Sequence, residues 1–233
     1  MIFQKIKSRI SSVPYLILSF GLSRFQFSRL SSTNQGRYYL KLGLVSLNSG
    51  RSHEAIFNIQ KALDEFQKSS SKYHGQILEC LNTLASAYFL QGNYSAALDY
   101  FTQSLEKTKS TLGENHQSIA ELYKSIGLVH HRLNHFAEAL ESYSNALNIQ
   151  RNIEKDESLE TVTIYNLIAR VLDSNGKSEE ALRLNLDALE IYKRLSKDKE
   201  DEFLAGLLND IGLNYMNTGK LEESMLFFFK SLD

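Results

Sequence analysis

One pattern limits what this chain can fold into: small residues return at a fixed interval. Ala55, Ala97, Ala139 and Ala181 stand 42 residues apart, and Ser224 follows 43 after the last. Twelve residues ahead of these places stand Gly43, Ala85, Gly127, Ala169 and Gly212, and seven behind them stand Ala62, Ser104, Ala146, Ala188 and Ser231. Large apolar residues keep the same step, first Leu42, Leu84, Ile126, Ile168 and Ile211, then Leu63, Leu105, Leu147, Leu189 and Leu232. A period of this size marks a chain assembled from copies of one supersecondary unit.

The spacing inside each copy says what the unit is. Tyr94, Ala97, Leu98, Phe101, Ser104 and Leu105 fall at i, i+3, i+4, i+7, i+10 and i+11, one stripe of an α-helix, and Leu81, Leu84, Ala85 and Tyr88 form a second stripe before it. Between the two stripes each copy carries a residue that tolerates the left-handed conformation ending a helix: Gly50, Gly92, Asn134, Gly176 and Gly219. The unit therefore reads as helix, tight turn, helix. Antiparallel helices approach closely only where side chains are small, which explains the recurring Gly, Ala and Ser. A hairpin cannot bury its whole apolar stripe alone, so neighbours must stack on it. The expected fold is all-α, an α-α superhelix (solenoid) of five antiparallel helix-turn-helix repeats at about 37–78, 79–120, 121–162, 163–205 and 206–233. Residues 1–36 precede it as a basic, Ser-rich leader.

These features resemble those of tetratricopeptide-repeat proteins, and within them the longer repeats of the kinesin light chain type. "TLGENHQSIAELYKSIGLVH", Thr111 to His130, is similar to that type's inter-repeat loop and following helix. Repeats two and three carry the resemblance best, with Tyr88, Gly92, Tyr94, Ala97 and Phe101, then Gly127, Phe136, Ala139 and Tyr143. Asn185 replaces an expected aromatic, Ser46 and Ser52 stand at aromatic places, and Ser224 replaces an alanine; each is expected to weaken a packing contact. The heptad coiled coil that light chains use to bind their motor is absent.

Composition narrows the function classes. Hydrophobic residues make up 42%, enough for a continuous core, and the single proline, Pro14, lies outside the repeats. Cys80 is the one cysteine, so no intramolecular disulfide forms, and it reads as a buried small residue. Net charge is −1, yet residues 1–37 hold six bases and no acid, which leaves 20 bases against 27 acids in the remainder. That acidic surface does not invite nucleic acid. The leader, free of acids and rich in Ser and Arg, fits a mitochondrial transit segment with a cut after Leu30. Two other origins fit as well: a secretory segment with Val13 to Leu22 as its apolar core, or an unstructured terminus. Its apolar run of about ten residues is too short to span a membrane.

No Gly-rich phosphate loop, nucleophile elbow or HExxH occurs, so neither an enzyme, a cofactor nor a small-molecule substrate is expected. His130, His131 and His135 form the one histidine cluster, but the turn at Asn134 breaks the helical spacing that a metal pair would need. His130 stands where other repeats have Tyr88 and Tyr215, a packing place, and His116 reads as a helix-start residue.

The resemblance implies a concave groove lined by the first helices. Positions two before and two after each first-helix Leu or Ile give Asn82, Lys124, Asn166 and Asn209, then Ser86, Leu128, Arg170 and Leu213; further along come Phe89, His131, Arg132 and Asn217. Asparagine can pair with a peptide backbone through both donor and acceptor, and Lys124 and Arg170 can add charge-assisted bonds to an acidic segment. The expected function is a non-catalytic protein-protein interaction scaffold that binds a peptide segment with acidic preference. A mitochondrial location makes it an assembly or maintenance factor; a cytoplasmic one makes it a cargo adaptor or signalling scaffold, and the repeats also suit one region of a longer protein. "MLFFFKSLD" is expected to leave Phe227 to Phe229 partly uncovered and to drive self-association through the fifth repeat.

Overall fold

The computed structural model describes residues 31–68, 73–154, 157–197 and 201–232. The leader expectations for residues 1–30 lie outside these. Ten helices run through the described residues: α1 (Ser32–Asn48), α2 (Ser52–Lys68), α3 (His74–Leu90), α4 (Tyr94–Leu112), α5 (Gln117–Arg132), α6 (Phe136–Ile153), α7 (Leu159–Ser174), α8 (Ser178–Ser196), α9 (Glu202–Asn217) and α10 (Leu221–Lys230). None is long and apolar enough to cross a membrane. No strand occurs among the described residues, and consecutive helices pair as hairpins, so the all-α solenoid class holds. The first helix starts at Ser32, ahead of the expected start of the repeats at 37, because Ser31 Oγ accepts from Asn34 N–H and caps it.

The turns close as the sequence demands. Gly50, Gly92, Asn134, Gly176 and Gly219 all have positive φ, between 59° and 78°. At each turn the following amide reaches back to the carbonyl five residues earlier, as in Asn93 N to Tyr88 O at 3.0 Å and Lys177 N to Leu172 O at 2.9 Å. Of the helices that open a hairpin, all but α3 start on side-chain caps: His116 Nδ1 accepts from Ser118 N–H at 3.1 Å, and Asp201 Oδ1 accepts from Phe203 and Leu204 N–H.

The chain divides into two compact units, residues 1–107 and 108–233. In the first, α1, α2 and α3 bury Leu40, Leu47, Ile59, Leu63, Phe66, Ile77, Cys80, Leu81 and Leu84 around Ala55 and Ala62. Each large side chain here contributes about 1.5–3 kcal/mol through burial. Cys80 is inaccessible, and burial pushes its thiol up to about 12, so it is packing, not chemistry. Tyr88 stacks on Tyr100 with ring centroids 5.5 Å apart.

In the second unit the core holds Val162, Leu182, Leu189, Ile191, Tyr192, Leu207, Leu208 and Ile211. Gly127 is glycine because the ring of the fully buried Tyr143 lies against it: a Cβ there would come within 2.7 Å of Tyr143 Cε1. Gly212 holds Phe228 in the same way. His130 packs near His135, with ring centroids 5.9 Å apart. Two departures from the repeat pattern do not weaken their contacts. Ser224 donates its hydroxyl to Gly212 O at 2.9 Å, tying the hairpin together where alanine would only touch. Asn185, 1% exposed, donates to Asn214 Oδ1 at 2.8 Å and accepts from Asn166 at 3.1 Å, so an amide chain replaces the aromatic.

Candidate functional site

The first helices of the second unit, α5, α7 and α9, bond to one another side by side, and this places most of the expected groove residues on adjoining helices. Three of their contacts follow a rule, from which the Lys124–Glu160 pair departs. His131 meets Ser174, Asn166 meets Asp210 and Asn217 meets Asp173, pairs separated by 43, 44 and 44 residues. Each separation is the local period plus one, so a residue bonds to the neighbour of its own equivalent in the next repeat.

Lys124 is 8% exposed, and its ammonium sits 2.8 Å from both Glu121 Oε1 and Glu160 Oε2. It is a clamp between α5 and α7, with two of its three donors on carboxylates. Asn166 Nδ2 donates to Asn185 Oδ1 and, at 2.9 Å, to Asp210 Oδ2, so the chain Asp210–Asn166–Asn185–Asn214 joins α7, α8 and α9. Asn217 Nδ2 donates to both carboxylate oxygens of Asp173, at 3.2 and 3.1 Å. Asn209 is exposed.

A basic corner lies beside this ladder. His131 Nε2 is 2.8 Å from Ser174 Oγ, whose hydroxyl also reaches Arg170 O. Burial, then the guanidiniums of Arg170 and Arg132, hold His131 below the usual histidine range, so it is the neutral imidazole that meets Ser174. Arg132 and Arg170 are both exposed, and the ion pairs among the described residues use other bases. The pattern suits recognition of an anion. Among the described residues no group of three His, Cys, Asp or Glu could hold a metal ion.

In the first unit, Ser86 is 2% exposed and donates to Asn82 O at 2.8 Å, so its hydroxyl is used inside the helix. Asn82 keeps a buried Oδ1 without a partner, and Phe89 packs its ring on Tyr94 at 5.4 Å. Sequence reasoning missed Glu160, Ser174, Asp173, Asp210 and Asn214; the signal that finds all but Glu160 and Asn214 is the period-plus-one offset between neighbouring first helices.

A family model of the tetratricopeptide repeat matches residues 35–110 and 118–194. No curated protein matches the chain. Among solved structures, BtubC (BKLC) from P. vanneervenii is similar at 17% identity with a TM-score of 0.74, over 97% of this chain and 89% of that one. Nearly identical repeats of the kinesin light chain type from Podosopora anserina are similar at 18% identity with a TM-score of 0.69, over 87% and 95%. The apo form of RapI is similar at 17% identity with a TM-score of 0.64, over 99% and 92%. At these identities the likeness concerns the fold. The chain belongs to the tetratricopeptide-repeat family, typically protein-interaction scaffolds, and its fold is similar to that of kinesin light chain-like repeats.

Proposed function

We propose that this chain is a non-catalytic scaffold that holds an acidic peptide segment against the first-helix face of its second unit. The observation that carries the reading is the corner of Arg132, Arg170 and neutral His131, where two exposed guanidiniums stand on adjoining helices. Asn209 adds an exposed donor and acceptor on the same set of helices. Asn166, Asn217 and Lys124 hold the helices in register, and so position the face without binding at it. The test is an array of acidic, neutral and basic peptides probed with the full chain and with Arg132→Glu/Arg170→Glu. Selective retention of acidic peptides that the variant loses supports the reading. Equal retention by both proteins removes this face, and no acidic preference in the parent removes the ligand class.

The leader supports a mitochondrial site of action on composition, with five bases and no acid in residues 1–30. There the scaffold would serve assembly or maintenance of a larger complex. Imaging a C-terminally tagged chain with and without residues 1–30 tests it. Organellar signal lost on truncation supports that location, whereas diffuse cytosolic signal in both favours the adaptor role.

A further inference from the structure

The outer face of α10 repeats a buried face in the wrong surroundings. In the preceding hairpin, Leu182 and Leu189 of α8 are 7% and 8% exposed, with Leu186 beside them, packed against Leu207, Leu208 and Ile211 of α9. The residues 43 further on are Met225, Phe229 and Leu232, and they are 58%, 64% and 81% exposed. Two more apolar side chains widen the stripe. Leu226, 51% exposed, stands where Asp99, Glu141 and Arg183 stand in earlier repeats, and Leu221, 63% exposed, stands where Ser178 does. Phe227 and Phe228 turn inward instead, onto Tyr215 and Gly212.

The geometry points to a second copy of this chain as the occupant, docked by antiparallel two-fold pairing of α10 with α10. Three observations select it. The stripe continues, in register, the interface by which one repeat stacks on the next, so it is shaped for an apolar helix. Its five exposed side chains present on the order of 600 Å² per copy, at the upper end of what a monomer shows, and two copies together reach the roughly 1,200 Å² at which specific interfaces begin. The charges fit this arrangement alone among helix pairings: Glu222 and Glu223 open α10 and Lys230 closes it, all exposed. Antiparallel pairing about an axis between Met225 and Leu226 sets each Lys230 beside the other copy's acids and opposes the helix dipoles, whereas parallel pairing sets like charge on like.

Sedimentation velocity of the full chain from about 1 to about 200 μM tests the pairing, a range that brackets a small interface of this kind. A monomer–dimer equilibrium is expected, weakened at least tenfold by Phe229→Glu at unchanged helicity. Lys230→Glu alone weakens it too, and an equimolar mixture with Glu222→Lys/Glu223→Lys forms a heterodimer tighter than either variant forms alone. A monomer throughout, whichever segment then covers the stripe, overturns the inference. So does a dimer untouched by Phe229→Glu, growth into open-ended oligomers, or a mixture without rescue.

Discussion

Replacing Gly127 by alanine separates two effects that act together in every repeat. Alanine in a helix interior favours folding by about 1 kcal/mol over glycine, through backbone entropy. At position 127, however, the new Cβ would sit 2.7 Å from Tyr143 Cε1 and 2.8 Å from Cδ1. Tyr143 is fully buried, so its ring has no solvent to swing into, and the helices must part instead. Overpacking of this kind costs about 1–3 kcal/mol. Gly206 lies on α9 with nothing within 4 Å of an added Cβ, so Gly206→Ala collects the helical gain alone. The difference between the two variants isolates the steric cost at about 1–3 kcal/mol, with Gly206→Ala above the parent in stability and Gly127→Ala below Gly206→Ala. Urea unfolding followed by circular dichroism gives the midpoints, and hydrogen exchange in α5 and α6 localises the loss, since repeat arrays need not unfold in one step. Adding Tyr143→Leu to Gly127→Ala should cost less than Tyr143→Leu costs in the parent. Equal stability of Gly127→Ala and Gly206→Ala would refute the claim that the small-residue rule is steric.

Two further outcomes follow from the polar contacts. Asn185→Ala leaves Asn166 and Asn214 with unsatisfied groups in the core, and a loss of about 1–3 kcal/mol is expected in the same unfolding assay; Asn185→Leu, which fills the aromatic's place, should lose less if packing and not the amide chain governs this position. His131, held neutral by burial and by Arg170 and Arg132, binds its proton more readily in the unfolded chain than in the folded one. Its contribution is therefore complete above the unfolded value near 6.5 and declines as pH falls below it. A His131→Gln variant should show a shallower loss of stability between pH 7 and pH 5 (about two units around that value), and identical profiles would exclude His131 from the acid response.

What could be read ahead of the structure and what could not differ in kind. The turn residues Gly50 to Gly219 and the small residues Ala55 to Ala181 act within one hairpin, so their spacing carries their role. His116 was legible as a helix-start residue because its cap reaches only to Ser118. Lys124 and Asn166 were legible as polar residues of the first helices but not as parts of the frame, because Glu160 and Asp210 lie 36 and 44 residues away. Asn185 read as a lost aromatic contact, since the amides that satisfy it belong to two other helices. The start of α1 was hidden by composition: Ser31 and Gly36 look like leader residues, yet one caps the helix and the other receives the Phe66 ring.

The period-plus-one rule has a consequence for how such a chain can change. The interval from Gly127 to Ala169 is 42 residues and that from Ala169 to Gly212 is 43, yet His131–Ser174 and Asn217–Asp173 make the same kind of rung. The extra residue falls between Ala188 and Gly212, a stretch that contains the left-handed Lys197 closing α8. The rungs thus count helical level and ignore chain length in the connector. Insertions between hairpins are silent to the ladder, whereas a single residue inserted between Asn166 and Asp173 of α7 would shift Asp173 and Ser174 by about 100° and 1.5 Å and break their rungs to both α9 and α5.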